Sequence, residues 1–149
     1  EMAEAPYDIT GATYYIFRSE MNLPFQSAFR QLPSGAYAPI EQPFGRQGYV
    51  PCDAVATGCV AVKRAVFEHP EMKAPFAMTH DEHGVMRMSD DMAFCTRARK
   101  LGFTIAADYA NHADHVVDGV SLNRIHAQFA NAYKVAAERV AQAPLIVTP

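Results

Sequence analysis

The sequence predicts a mixed α/β domain, a mixed sheet with flanking helices, on three observations. Short β-branched and aromatic runs recur at 8–17, 49–55, 60–62 and 103–107, and such runs make strands. Residues 90–101 open on Ser89-Asp90-Asp91 and close on Gly102, the capping pattern of a helix. Beyond residue 121, Leu122, Ile125, Phe129, Tyr133, Ala136 and Val140 recur every three or four positions, which predicts a long amphipathic helix over 121–142.

In chain order, residues 8–17 read as the first strand. Residues 22–47 are rich in Pro, Gly, Gln and Ser and read as loop or irregular hairpin, with a short strand near 36–40. The run 49–55 leads through Thr57-Gly58-Cys59 into a second short strand at 60–62. Residues 63–68 fit one helical turn that Pro70 closes. Residues 69–88 carry three of the six histidines and four of the seven methionines with no period, and read as a long loop. After the 90–101 helix come a strand at 103–107 and a further one at 116–120. The 149 residues divide into a body, 1–120, and the C-terminal helix and tail of the same domain, 121–149.

Composition narrows the function classes. Half the residues are apolar and 19% are charged, a globular balance. The net charge of −3, without a basic run, speaks against nucleic acid as a partner, because phosphate binding needs clustered Lys and Arg. No apolar stretch reaches membrane-spanning length. The odd set Cys52, Cys59 and Cys95 points to reduced thiols in a cytoplasmic protein rather than a disulfide framework.

Asp90-Asp91 is the sharpest chemical feature. On a helix, Asp91 shares a face with Cys95 and Ala98, so its carboxylate sits where the buried face meets the loop end and can take a proton. The plainer reading is that both acids complement the helix dipole. His80/His83 and His112/His115 are spaced as His-x-x-His but lack the Glu or Cys of a zinc signature. Gly58 permits a sharp turn or a close approach to a ligand. Tyr14, Tyr15, Phe17 and Tyr37 read as core or strand-surface aromatics before they read as a sugar platform. There is no phosphate-cradling glycine loop.

Three ordered motifs carry a resemblance. They are Asp53-Ala-Val-Ala-Thr-Gly58-Cys-Val-Ala-Val-Lys63-Arg-Ala-Val-Phe67, then Asp90-Asp91-Met-Ala-Phe94-Cys95 running to Gly102, then Asp108 with His115-Val116 downstream. Together they resemble the acceptor-side, C-terminal half of GT-A-fold glycosyltransferases of the family-two-like, bacterial and phage type, over about residues 8–120. The resemblance implies a partial GT-A (nucleotide-diphospho-sugar transferase) fold and an inverting sugar transfer from a nucleotide sugar to a glycan or other hydroxyl acceptor. It implies Asp91 as the general base and Asp90, in place of the usual Glu, as an acceptor-orienting residue. Thr57, Gly58, Cys59 and Phe76 would border the acceptor and donor sugar. His115 would help hold a divalent cation, Mg²⁺ or Mn²⁺, or the diphosphate.

These residues hold no Asp-x-Asp and no counterpart of the nucleotide-binding strands. The expectation is therefore a fragment of a longer enzyme, a chain paired with a partner that supplies the missing half, or a remnant kept for binding; alone it would not bind a nucleotide sugar tightly. The exposed sheet edge left by missing strands predicts a homo-oligomer or such a partner. The alternative function is a non-catalytic binding or assembly module, and a weaker third is a metal-dependent hydrolase built on His80, Asp81 and His83.

Overall fold

Ile9-Thr-Gly-Ala-Thr13 is buried along its whole length, which makes it the centre of the main sheet. The structure, a computed structural model, describes residues 2–18, 23–40, 47–117 and 120–122. The elements begin with β1 (Ile9–Thr13), β2 (Tyr15–Arg18), β3 (Leu23–Gln26), β4 (Ala28–Gln31) and β5 (Tyr37–Pro39). Next come β6 (Tyr49–Pro51), β7 (Ala54–Val55), β8 (Val60–Val62), α1 (Arg64–Glu68), β9 (Thr79–His80) and β10 (Met86–Met88). The last are α2 (Asp90–Lys100), β11 (Ile105–His112), β12 (His115–Val117) and β13 (Val120–Leu122).

The main sheet has the order β6-β11-β1-β8. β1 and β11 run parallel, and the outer strands β6 and β8 are antiparallel to their neighbours. The mixed α/β class read from the sequence is therefore the class of the fold. A second, three-stranded sheet, β5-β4-β7, meets both the main sheet and α2 through β7. Val55 of β7 shows how tightly these layers meet. A Cβ built on Gly11 of β1 would stand 2.7 Å from the Val55 Cβ, while the Val55 carbonyl accepts the Cys95 thiol of α2 at 3.6 Å. Phe94, Cys95 and Ala98 of α2 are fully buried on this side.

Several boundaries differ from those read off the sequence. The run 8–17 is two strands broken at Tyr14, whose amide donates to Ser27 Oγ at 3.0 Å and whose carbonyl accepts the Ser27 amide at 2.9 Å. Within 22–47, β3 and β4 form as well as β5, since Pro24 and Pro39 fall in strands with a single partner and need no second ladder bond. The 69–88 loop contains a small hairpin, β9–β10. Ser121 and Leu122, read as the start of the long helix, pair instead with Val116 and His115; the rest of that helix lies outside the described residues. Ser89 precedes α2 with extended backbone but makes no side-chain cap bond, whereas Gly102 ends the helix with φ +88° as predicted.

The β11 strand is irregular where it matters. Ala12 pairs with Asp108 but Thr13 pairs with His112, so residues 109–111 bulge out of register. The buried Asp108 carboxylate satisfies that bulge: it accepts the amides of Ala110 at 2.9 Å and Asn111 at 3.3 Å and the Asn111 side chain at 2.6 Å. Asp108 is thus a structural acid, and its bulge delivers the chain to β12.

At the opposite end of the sheet, Asp8 ties three strands together. Its carboxylate accepts the Thr104 amide at 2.9 Å and hydroxyl at 2.8 Å and pairs with Lys63 at 3.4 Å. The Thr104 amide bond, with smaller help from the hydroxyl and Lys63, holds the Asp8 pKa below its usual value. A depressed carboxylate pKa contributes stability that is complete above the unfolded value, about 3.9, and lost as pH falls through the folded one. Thermal melts across the acid range should therefore fall less steeply below about pH 4 in Asp8→Asn than in the parent chain. Parallel curves would remove Asp8 from the acid limb.

Candidate functional site

Four segments far apart in sequence converge at the start of α2. Asp91, at the second position of the helix, is partly exposed and lines a cleft of ≈ 450 Å³. Its Oδ1 accepts a short hydrogen bond from the Thr57 hydroxyl. The next residue, Gly58, donates its amide to the Tyr14 hydroxyl oxygen at 3.1 Å. The Tyr14 ring in turn packs on the His115 imidazole with centroids 5.4 Å apart.

Local sequence explains each placement. Asp91 points along the partly buried side of α2 because Cys95 and Ala98, one and two turns on, face the core. Thr57 and Gly58 follow β7, which the Gly11 contact pins against the main sheet. Tyr14 occupies the break between β1 and β2. His115 opens β12 immediately after the Asp108 bulge and the Ala113 amide bond to the Thr13 carbonyl at 3.0 Å. Gly58 is a close-approach glycine, since a Cβ there would meet the Tyr14 hydroxyl at 2.7 Å.

The electrostatics reinforce this arrangement. Burial, and then the negative charges of Asp91 and Cys59, push the Tyr14 phenol above its ordinary pKa, although the Gly58 amide works the other way. The phenol therefore keeps its proton at neutral pH. His115 Nδ1 is buried and has no hydrogen-bond partner among the described residues.

Of the residues singled out from sequence, Asp91, Thr57, Gly58 and His115 are joined by a chain of contacts through Tyr14, and Cys59 stands exposed beside Tyr14; of these only Asp91 lines the cleft. Two others stand apart. Asp90 begins α2 but does not line the cleft. Phe76 lies over the core end of the helix, its ring 4.6 Å from Phe94 and 6.3 Å from Phe67. It covers a fully buried phenylalanine and contributes nothing to the cleft. Sequence reading takes Tyr14 as a core or strand-surface aromatic, and the ring is buried in the core, but the reading does not reach its hydroxyl. The only signal was the Ala-Thr-Tyr-Tyr step, which does not reveal a strand break.

In the histidine-rich loop the acid is used to shape the turn. Asp81 Oδ1 accepts the amides of His83 and Val85, both at 2.9 Å, and Oδ2 pairs with Arg87 at 3.0 Å, so this carboxylate builds the hairpin turn. Among the described residues no three His, Cys, Asp or Glu side chains converge as a metal site.

The two other cysteines lie in the interior. Burial, with the charges of Cys95 and Asp53, pushes the Cys52 thiol up to about 12, and burial with the Asp91 charge pushes Cys95 up to about 11. Only thiolates alkylate quickly. Iodoacetamide at neutral pH should label Cys59 alone, with Cys52 and Cys95 reacting after denaturation; labelling of Cys95 in the native chain would contradict this packing.

No protein-family model matches the chain, and no curated protein does. Among solved structures, the crystal structure of A197 from STIV is similar over 79% of this chain and 48% of that chain, at 17% identity and a TM-score of 0.49. The chain thus spans about half the length of that protein. No helix among the described residues is long and apolar enough to cross a membrane.

Proposed function

We propose that this chain is the acceptor-side portion of a nucleotide-sugar glycosyltransferase with a partial GT-A fold, in which Asp91 is the general base. The observation that carries the reading is the position of the Asp91 carboxylate, at the wall of an open cleft and hydrogen-bonded by Thr57, next to the Tyr14–His115 pair. A carboxylate used only to complement a helix dipole needs neither a cleft nor a convergent hydroxyl.

In the proposed step the acceptor hydroxyl lies against Asp91 Oδ2. As its oxygen attacks the anomeric carbon, the carboxylate takes the hydroxyl proton. The bond from that carbon to the diphosphate breaks, the diphosphate leaves with the electron pair, and the configuration inverts. Thr57 fixes one oxygen of the carboxylate and leaves the second for the acceptor. Tyr14 and the Gly58 amide hold the neighbouring turn.

The resemblance also calls for Mg²⁺ or Mn²⁺. The orphaned His115 Nδ1 suits a single metal ligand, and among the described residues it belongs to no group of three or more His, Cys, Asp or Glu side chains. When bound, a divalent ion neutralises charge on the departing diphosphate. The rest of its shell, and the nucleotide site, would come from outside these residues.

The test is an assay of the complete polypeptide that carries residues 1–149, offered UDP- and GDP-activated sugars with a panel of hydroxyl acceptors. Transfer to an acceptor with inverted configuration is the expected result. Absence of both transfer and donor turnover across the panel would reject the enzyme reading and leave a binding module.

A further inference from the structure

The cleft beside Asp91 is poor in hydrogen-bonding side chains. Its walls are formed chiefly by Phe25 and Phe29 from β3 and β4, Ala56 after β7, and Met86, Met88 and Met92. The polar side chains that reach it are largely engaged. The Tyr37 hydroxyl is bonded to Thr96 Oγ1 at 2.8 Å, Arg87 is paired with Asp81 at 3.0 Å, and one Asp91 oxygen is taken by Thr57. What remains is the second Asp91 oxygen, the Ser89 hydroxyl, which makes no cap bond, and the Arg87 N–H donors that do not face Asp81, so the polar groups gather at one end of the lining around residues 87–91.

From this distribution we infer that the cleft receives the apolar body of the acceptor, an aliphatic or aromatic group bearing a single hydroxyl-rich end, and not a run of sugar rings. This rests on the glycosyl-transfer reading and names the substrate class for it. A bound saccharide presents hydroxyls on every edge, and each one buried without a partner costs about 1–3 kcal/mol. Methionine walls offer the reverse: polarizable, unbranched chains that fit irregular apolar shapes and make favourable contacts with aromatic rings. The volume of ≈ 450 Å³ lies within the range of small-molecule sites and would hold a short alkyl chain or a small ring system, with its hydroxyl directed to Asp91.

The hairpin that carries Met86 and Met88 gives the cleft its outer wall. It is tied to the helix through the Thr96 hydroxyl, 3.3 Å from the Met88 sulfur, and Arg97 holds the preceding loop through the carbonyls of Pro75 and Ala77 at 2.6 and 2.7 Å. Met86 remains 55% exposed, an apolar side chain with no apolar cover on its outer side. An apolar ligand would give it one.

The experiment uses the full chain with ¹³C-methyl-labelled methionine, titrated with n-octyl β-D-glucopyranoside below its micelle concentration and, separately, with methyl β-D-glucopyranoside. The octyl compound should shift the Met88 and Met92 methyl signals and leave Met78, which is exposed but outside the cleft, in place; the methyl compound should move none of them. Met92→Gln should weaken the octyl titration, read at Met88, by about tenfold. Equal shifts with both compounds, no shift with either, or a shift at Met78 as large as at Met88 would overturn the inference. The function is separable from it. An octyl-specific response in a complete enzyme that transfers no sugar would reject the transferase while leaving the apolar site. Transfer to free saccharides with no octyl response would do the opposite.

Discussion

Asp91→Asn is expected to reduce sugar transfer by the complete enzyme by about 10²- to 10⁴-fold while the chain stays folded. Asparagine keeps the size of the side chain and an oxygen that can still accept the Thr57 hydroxyl, so the start of α2 and its neighbours remain in place. The variant loses only the ability to take a proton. The loss should fall on kcat with little change in KM for the acceptor, because the amide still occupies the same volume at the cleft wall. Thr57→Val is the informative companion. It leaves the carboxylate but removes the hydroxyl that fixes it, so its loss should be smaller, and it should not add to that of Asp91→Asn in the double variant. A full rate in Asp91→Asn would end the assignment, whatever the rest of the site looks like.

The residues of this site differ in how far they can be read from sequence, and the differences have physical causes. α2 was legible because its signals are local: Asp90-Asp91 at the positive end, buried Ala93, Phe94, Cys95 and Ala98 at helical spacing, and Gly102 in a left-handed backbone at the stop. The same locality made Asp91 stand out, and Thr57 and Gly58 were legible as a turn between strands. Tyr14 was not. Its place is set by Ser27, thirteen residues on, whose backbone and side chain take the hydrogen bonds that a continuous strand would have used. No neighbour of Tyr14 in sequence signals that exchange. The role of Asp108 was hidden in the same way. Pattern reading paired it with His115, yet its carboxylate is spent on the amides of its own bulge, and its effect on the site is to aim β12. Phe76 was misplaced because an aromatic after a proline looks the same whether it faces a ligand or covers Phe94. The methionine walls were hidden in a loop without period, since a cleft has no sequence spacing.

The largest effect on stability should come from Gly11, far from any polar chemistry. The β1 backbone is buried on both sides, and a methyl at position 11 would lie 2.7 Å from the Val55 Cβ and 2.9 Å from its Cγ2. Real carbon atoms do not approach so closely, so either β7 must lift from the main sheet or β1 must bend away from β11. Overpacking of this kind typically costs about 1–3 kcal/mol, and occasionally more, in cores that cannot shift. This one has little room, because Val55 is held from its other side by α2 through the Cys95 thiol. Gly11→Ala should therefore lower the melting temperature by roughly 2–4 °C for each kcal/mol lost. The position of Thr57 depends on the same strand, so transfer activity should fall with it at temperatures below the melt. Val55→Ala supplies the decisive comparison. Alone it leaves a cavity and destabilises; combined with Gly11→Ala it removes the Cγ2 and Cγ1 contacts at 2.9 and 3.0 Å and keeps only the Cβ contact, so the double variant should recover part of the loss and be more stable than the sum of the two single losses predicts. Simple additivity in urea melts would mean that Gly11 is not where these two layers meet.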